Sequence, residues 1–84
     1  MKYISINDLN KYKNSLLIDV RIPSEYMINH FDNFINIPVN NILTIVGKYP
    51  KDTSIVLYCK YGNQSRRAAS MLNSLGYNNI AIVL

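Results

Sequence analysis

Cys59 is the only cysteine of this 84-residue chain, and it stands where an apolar segment gives way to a polar, glycine-containing loop. The loop leads into a segment with helical periodicity, so its backbone N–H groups are expected to converge near the sulfur, where the helix dipole adds about half a positive charge. A thiolate would accept those hydrogen bonds, and we expect Lys60 and Arg66 to favour it further. Composition alone favours a small buried hydrophobe at this position. The loop context reverses that preference and predicts a reactive cysteine.

The remaining composition argues against several other kinds of site. A single cysteine excludes an internal disulfide and a multi-cysteine zinc site, and one histidine with one glutamate gives little material for a metal centre or a pair of catalytic carboxylates. The nine lysines and arginines give a formal charge of +4 but are mostly scattered, so no nucleic-acid-binding face is predicted. No apolar run approaches the ~20 residues of a membrane span, and the N-terminus does not resemble a secretory signal. We expect residues 1–84 to form one soluble, cytoplasmic domain.

Short apolar segments alternate with segments of helical periodicity along the chain. Continuous apolar runs such as Ile55–Leu57 are typical of buried parallel strands. The pattern predicts strands over 2–4, 16–20, 34–37, 54–58 and 80–84. It predicts helices over 6–13 with Ser5 as the cap, over 23–28, from Asn40 or Asn41 to Gly47, and from Ser65 to Gly76 with Ala68, Ala69, Met71, Leu72 and Leu75 facing inward.

This alternation predicts an α/β fold in which right-handed crossovers join a five-stranded, mostly parallel sheet covered by helices on both faces. Active sites of such sheets lie beyond the carboxyl ends of the strands. Asp19, Pro38 and Cys59 occur at the ends of predicted strands. We therefore expect the site at this edge of the sheet, with Cys59 at its centre.

Five neighbours of the predicted site receive more modest interpretations. Asp19 either orients the cysteine loop or pairs with a basic residue, and a turn or helix-capping role fits its position equally well. Arg21 and Glu25 are four residues apart, and we expect them to form a structural salt bridge. We expect a structural hydrogen bond from His30 rather than base catalysis, and we expect Tyr61 to rim the pocket.

Several segments stand in a characteristic order along nearly the whole chain: Leu17–Arg21 followed by Glu25-Tyr26, then His30, Ile35–Pro38, Ile55–Cys59 leading into Gly62-Asn63 and Ser65-Arg66, and Ala68-Ala69 followed by Leu72 and Leu75–Tyr77. In their order and spacing these segments resemble a single-domain rhodanese, of the thiosulfate sulfurtransferase family, in which Gly-His-Ile usually stands at the position of His30.

This resemblance implies the rhodanese fold and a sulfurtransferase activity. Cys59 would be the nucleophile that takes the outer sulfur of thiosulfate or of a persulfide donor, and cyanide or a thiol would then remove that sulfur in a ping-pong reaction. No metal or organic cofactor is implied, and a sulfur-relay protein is a possible partner. The resemblance also implies an active-site loop made of Lys60, Tyr61, Gly62, Asn63, Gln64 and Ser65, with Asp19, Arg21 and Arg66 as supporting residues.

Three positions depart from the family pattern. Gln64 stands where many rhodaneses have an arginine, which implies weaker binding of thiosulfate unless Lys60 substitutes for the missing charge. Asn29 and Asn33 replace the usual glycines around the histidine segment, and the geometry of that turn is left open.

Three other functions are weighed against a sulfurtransferase. A dual-specificity phosphatase has an arginine at the sixth position after its cysteine, where this chain has Ser65, and Arg66 comes one place too late. A non-catalytic rhodanese-like module for binding or regulation would typically lack the cysteine. A thiol redox protein would need a resolving thiol from another molecule.

Overall fold

The computed structural model describes residues 1–84, and its central feature is a five-stranded sheet in which all neighbouring strands run parallel. Three residues of the middle strand, Ile55–Leu57, are completely buried, as expected of a strand covered on both faces. The predicted α/β fold with a parallel sheet is therefore confirmed. The strands are β1 (Lys2–Ile4), β2 (Leu16–Asp19), β3 (Ile35–Asn36), β4 (Ile55–Tyr58) and β5 (Ile80–Val83), in the spatial order β1-β5-β4-β2-β3.

Four helical segments connect the strands. They are the first 3₁₀ helix (Ile6–Tyr12), α1 (Pro23–Ile28), the second 3₁₀ helix (Val39–Ile45) and α2 (Asn63–Ser74). Ser5 caps the first of them, as predicted, because its Oγ accepts a hydrogen bond from the Asn7 amide at 3.1 Å. Pro23 begins α1 at a position whose N–H group would have no partner within the helix.

Two apolar clusters lie on opposite faces of the sheet and hold these elements together. Leu57 belongs to the larger cluster, which also includes side chains from α2 and the second 3₁₀ helix, such as Leu72 and Ile42. Val56 belongs to the smaller cluster, against which Leu9 of the first 3₁₀ helix packs. Each large apolar side chain that is fully buried stabilises the fold by roughly 1.5–3 kcal/mol. Successive residues of β4 thus face opposite cores, and the strand is fixed in position from both sides.

Several predicted bounds were wrong by one or two residues. The segments predicted as helices over 6–13 and from Asn40 or Asn41 to Gly47 are 3₁₀ helices with earlier ends, and the second begins directly after Pro38. The predicted strands lose residues 20, 34, 37, 54 and 84 at their ends. Short strands fray where flanking loops take over the hydrogen bonds, which makes strand ends the least predictable positions.

The start and end of α2 also differ from the prediction. Gly62 has a φ of +83°, which turns the chain so that α2 begins at Asn63 rather than at Ser65. At its other end α2 stops at Ser74, and Leu75 follows with 41% of its surface exposed. The prediction that Leu75 faces inward was therefore wrong, because the helical repeat ends before reaching it.

Candidate active site

Cys59 directly follows β4 at the carboxyl edge of the sheet, and only 3% of its surface is exposed. Its Sγ accepts a hydrogen bond from the backbone N–H of Ser65 at 3.3 Å. Ser65 lies in the first turn of α2, where N–H groups have no carbonyl partner within the helix. The helix therefore directs both a donor and the positive end of its dipole toward the sulfur.

The loop between Cys59 and α2 contains further donors without partners. The backbone N–H groups of residues 60–64 make no hydrogen bond within the chain. Unpaired amides that follow one another along a turn can bind an anion together. The loop from Cys59 to Ser65 thus keeps its amides unpaired, as the predicted amide cradle requires, and the binding of an anion by these amides stays a prediction.

The Ser65 side chain is a second unsatisfied group beside Cys59. Its residue is completely buried, and its hydroxyl has no hydrogen-bond partner. A buried polar group without a partner costs roughly 1–3 kcal/mol. This loop therefore retains a donor that the folded chain itself does not use.

An open pocket of about 240 Å³ lies beside the cysteine. Tyr61 is 75% exposed at this pocket, and the Lys60 ammonium group lies 5.4 Å from the centroid of its ring, so Tyr61 rims the pocket as predicted. Gly62 and Ser65 are buried behind the pocket and do not line it. The lining residues are Glu25, Cys59, Lys60, Tyr61, Asn63 and Gln64.

Arg66 lies outside this pocket, although the sequence placed it among the residues that favour a thiolate. Its guanidinium group donates a hydrogen bond to Asn63 Oδ1 at 2.7 Å. A Cβ on Gly62 would come within 2.9 Å of the same guanidinium group, so the arginine lies against the back of the loop. Arg66 is therefore placed to brace the loop and does not line the pocket.

Asp19 and Arg21 form a buried pair at the end of β2. Arg21 donates from Nε and Nη2 to the Asp19 carboxylate, at 3.0 and 2.7 Å, and its Nη2 also donates to the Asn29 carbonyl at 2.7 Å. The hydrogen bonds that Arg21 donates to Asp19 raise the pKa of Arg21 more than burial lowers it. The predicted salt bridge between Arg21 and Glu25 was wrong, because Asp19 holds the guanidinium group instead. Among the interpretations of Asp19, pairing with a basic residue is the one that the structure shows.

His30 has a structural role, as predicted. Its Nδ1–H donates to the Tyr26 carbonyl at 2.8 Å, and the two rings stack with centroids 3.6 Å apart. Asn33 has a φ of +70°, a conformation that asparagine tolerates better than most residues, so it replaces a glycine in this turn. The histidine segment therefore forms a well-bonded turn, and His30 lines a different cavity from Cys59.

Glu25 is the residue of the pocket that the sequence analysis missed, because it was assigned to Arg21. It lies in the first turn of α1, which follows β2, and β2 is the neighbour of β4 in the sheet. Segments that follow adjacent parallel strands meet at the same edge of the sheet. Strand adjacency was the signal that would have placed Glu25 beside the cysteine loop.

The fold and site are those of a known class of protein. Residues 5–84 match the family model of the rhodanese-like domain, and the chain belongs to this family of sulfurtransferases. The predicted resemblance is therefore confirmed.

Particular relatives show how far the likeness extends. The chain is 37% identical, over 96% of its length, to adenylyltransferase and sulfurtransferase uba4 of Ogataea parapolymorpha. It is 37% identical, over 93% of its length, to the tRNA uridine(34) hydroxylase of Buchnera aphidicola subsp. Baizongia pistaciae. The human single-domain sulfurtransferase TSTD1 has the same fold, with a TM-score of 0.86 at 20% identity over 99% of this chain and 88% of that one.

The two curated relatives are much longer than this chain. The match spans 21% of the first and 28% of the second.

None of the helices in this chain combines the length and the apolar character that crossing a bilayer requires.

Proposed function

We propose that this protein moves a sulfane sulfur from thiosulfate or a persulfide donor to a thiophilic acceptor, through a persulfide on Cys59. The observation that carries this proposal is the placement of Cys59 at the open pocket, with the Ser65 amide on its sulfur and unpaired amides along residues 60–64. These donors suit an anionic sulfur one bond beyond Sγ. Family membership supports the same reaction class.

The reaction has two steps that balance in atoms and charge. The Cys59 thiolate attacks the sulfane sulfur, a new S–S bond forms, and the donor's S–S bond breaks with its electron pair leaving on sulfite or on a thiolate. Cyanide or a thiolate then attacks the outer sulfur of the persulfide, and the electron pair of the broken bond restores the Cys59 thiolate. Splitting the transfer at one nucleophile is covalent catalysis.

A sulfur-relay protein is our proposed partner in this reaction. The name of the Ogataea relative combines a sulfurtransferase with an adenylyltransferase. Tyr61 and Lys60 stand at the exposed rim of the pocket, where an incoming protein thiol would approach. The acceptor would then be a cysteine of another protein, with cyanide as its substitute in an assay.

The deciding experiment is intact-protein mass spectrometry after incubation with thiosulfate or a persulfide donor. We expect a gain of one sulfur atom on the wild-type protein, its removal by cyanide with release of thiocyanate, and no gain for Cys59→Ser. Arg67→Met, an exposed change on α2, serves as the matched control and is expected to gain sulfur normally.

Other outcomes of this experiment separate the alternatives. A sulfenate or a mixed disulfide on Cys59, without a persulfide, would indicate a thiol redox protein. Failure of every sulfane donor to modify a folded wild-type protein would contradict the proposal and favour a non-catalytic binding module.

A further inference from the structure

The Cys59 pocket carries little positive charge for a site that receives sulfur from anions. Its charged lining groups are one ammonium group, on Lys60, and one carboxylate, on Glu25. Neither is neutralised by an ion pair, since the ion pairs of the chain are Asp8 with Lys11 and Asp19 with Arg21. The other polar lining groups are the Asn63 and Gln64 carboxamides and the Tyr61 hydroxyl. The formal side-chain charge of the pocket is therefore zero, although the whole chain carries +4.

The nearby arginines do not change this balance. Arg21 is held by Asp19 and by the Asn29 carbonyl. Arg66 is bonded to Asn63 and lies against the back of Gly62. Neither guanidinium group lines the Cys59 pocket itself, whereas Arg21 does line the neighbouring cavity.

Glu25 is the group in the pocket that opposes an anionic donor. It is half-buried, and its carboxylate has neither an ion pair nor a hydrogen bond within the chain. Its backbone carbonyl accepts from the Asn29 amide, so α1 fixes the residue while its carboxylate remains free. A carboxylate that is partly removed from water acts on a nearby charge more strongly than an exposed one does.

A second cavity of about 410 Å³ adjoins the pocket, and Glu25 and Lys60 line both. The second cavity is lined further by Arg21, Ile28, Asn29 and Tyr58. A donor with an organic group would find room there, whereas thiosulfate has no such group.

We propose that this pocket selects sulfane donors with a single negative charge and an organic group over dianionic thiosulfate, and that Glu25 sets this selectivity. The inference rests on the proposed function of Cys59. When Cys59 forms its new S–S bond, the donor's S–S bond breaks and the electron pair leaves on sulfite from thiosulfate, or on a sulfinate from an organic thiosulfonate. Sulfite carries two charges past Glu25, and a sulfinate carries one.

A matched pair of donors tests this selectivity. Methanethiosulfonate has the shape of thiosulfate with one charged oxygen replaced by a methyl group. We would measure kcat/KM for both donors, with cyanide as acceptor, in the wild-type protein and in Glu25→Gln. Coulomb repulsion is proportional to charge. If Glu25→Gln raises kcat/KM about threefold for the monoanionic donor, it should therefore raise kcat/KM about tenfold for dianionic thiosulfate. The expected result is a shift of roughly threefold in the donor ratio toward thiosulfate.

Two further variants make the test specific. Gln64→Arg adds a cation to the same pocket, and we expect it to shift the ratio in the same direction even if Glu25→Gln folds poorly. Asp52→Asn removes a carboxylate at the amino end of β4, outside the Cys59 pocket, and we expect no change in the ratio.

The outcomes separate this inference from the proposed function. Suppose that both donors form the Cys59 persulfide but the ratio of their kcat/KM values is unchanged in Glu25→Gln and Gln64→Arg, or shifts equally in Asp52→Asn. The selectivity proposal is then overturned, and the proposed function of Cys59 stands. If mass spectrometry shows no persulfide with any sulfane donor, the proposed function fails and this inference fails with it.

Discussion

Two neighbouring regions at the carboxyl edge of the sheet differ in how their polar groups are satisfied. At the end of β2, the Asp19 carboxylate accepts hydrogen bonds from the Arg21 side chain and from the Arg21 amide at 2.9 Å. At the end of β4, the Cys59 loop leaves five backbone amides and the Ser65 hydroxyl without partners. Asp19 and Tyr58 are paired in the sheet, so the two regions lie side by side.

The difference distinguishes a structural site from a chemical one. A buried polar network whose members are all bonded fixes the backbone and has nothing left to offer a ligand. The buried Ser65 hydroxyl has no partner in the folded chain, and an anion that binds only during turnover would explain it. The predictions below test this contrast, beginning with the largest expected effect.

Cys59→Ser should separate activity from stability most clearly. We expect sulfur transfer to fall by roughly 10³-fold or more, because serine cannot form a persulfide and is a poor nucleophile at neutral pH. The free energy of unfolding should fall by no more than about 1–3 kcal/mol, because the side chains are similar in size and the added cost is that of burying a hydroxyl. Thiocyanate release measures the activity, and urea unfolding measures the stability. A loss of stability as large as that expected for Arg21→Met would contradict the contrast between the structural and the chemical region.

Arg21→Met should have the opposite profile. It leaves the completely buried Asp19 carboxylate without its partner, and we expect a loss of about 3–5 kcal/mol in the free energy of unfolding. Adding Asp19→Asn to this variant should recover part of that loss. Arg67→Met, whose side chain is exposed on α2, is the matched control and should change stability by no more than about 0.5 kcal/mol. If Arg21→Met and Arg67→Met lowered the free energy of unfolding equally, the buried pair of Asp19 and Arg21 would not contribute more to stability than an exposed arginine does.

Gly62→Ala should affect both properties. An alanine at a φ of +83° is strained by roughly 1–2 kcal/mol, and its Cβ would press on the Arg66 guanidinium group at 2.9 Å. We expect lower stability together with slower sulfur transfer, because the same turn aligns the loop amides. Gly47→Ala is the matched control: its φ is +85° and the space around it is open, so it should lose stability but keep its activity.

Ser65→Ala should have the smallest effect on folding. Its hydroxyl has no partner, so removing it should leave stability within about 1 kcal/mol or increase it slightly. If the hydroxyl donates to the persulfide, a charge-assisted hydrogen bond of about 1.5 kcal/mol is lost, and the Cys59 persulfide should be consumed about tenfold faster by a competing thiol. A persulfide lifetime equal to that of the wild type would show that the hydroxyl has no part in holding the sulfur.

The strands and the cysteine loop could be predicted from the sequence, because their signals are local. Ile55–Tyr58 is a continuous apolar run that breaks at Cys59, and Gly62 marks the turn that follows. The 3₁₀ geometry of Ile6–Tyr12 and Val39–Ile45 could not be predicted from periodicity. Over two turns, a 3₁₀ helix and an α-helix place similar residues toward the core.

The partners of charged residues could not be predicted, because they depend on tertiary structure. The rule that residues four apart form salt bridges applies within a helix, but α1 begins at Pro23, after Arg21. The arginine therefore turns back to Asp19 and leaves Glu25 free to line the cysteine pocket. Only the adjacency of β2 and β4 brings that carboxylate to the site.

The position of β5 has a consequence for synthesis of the protein on the ribosome. β5 lies between β1 and β4, so Lys2–Ile4 has no neighbouring strand until Ile80–Val83 has left the exit tunnel. The central strands can associate earlier, since β2 pairs directly with β4. β1 is translated before the other four strands and yet can join the sheet only after β5, and until then its unpaired edge is open to pairing with another chain.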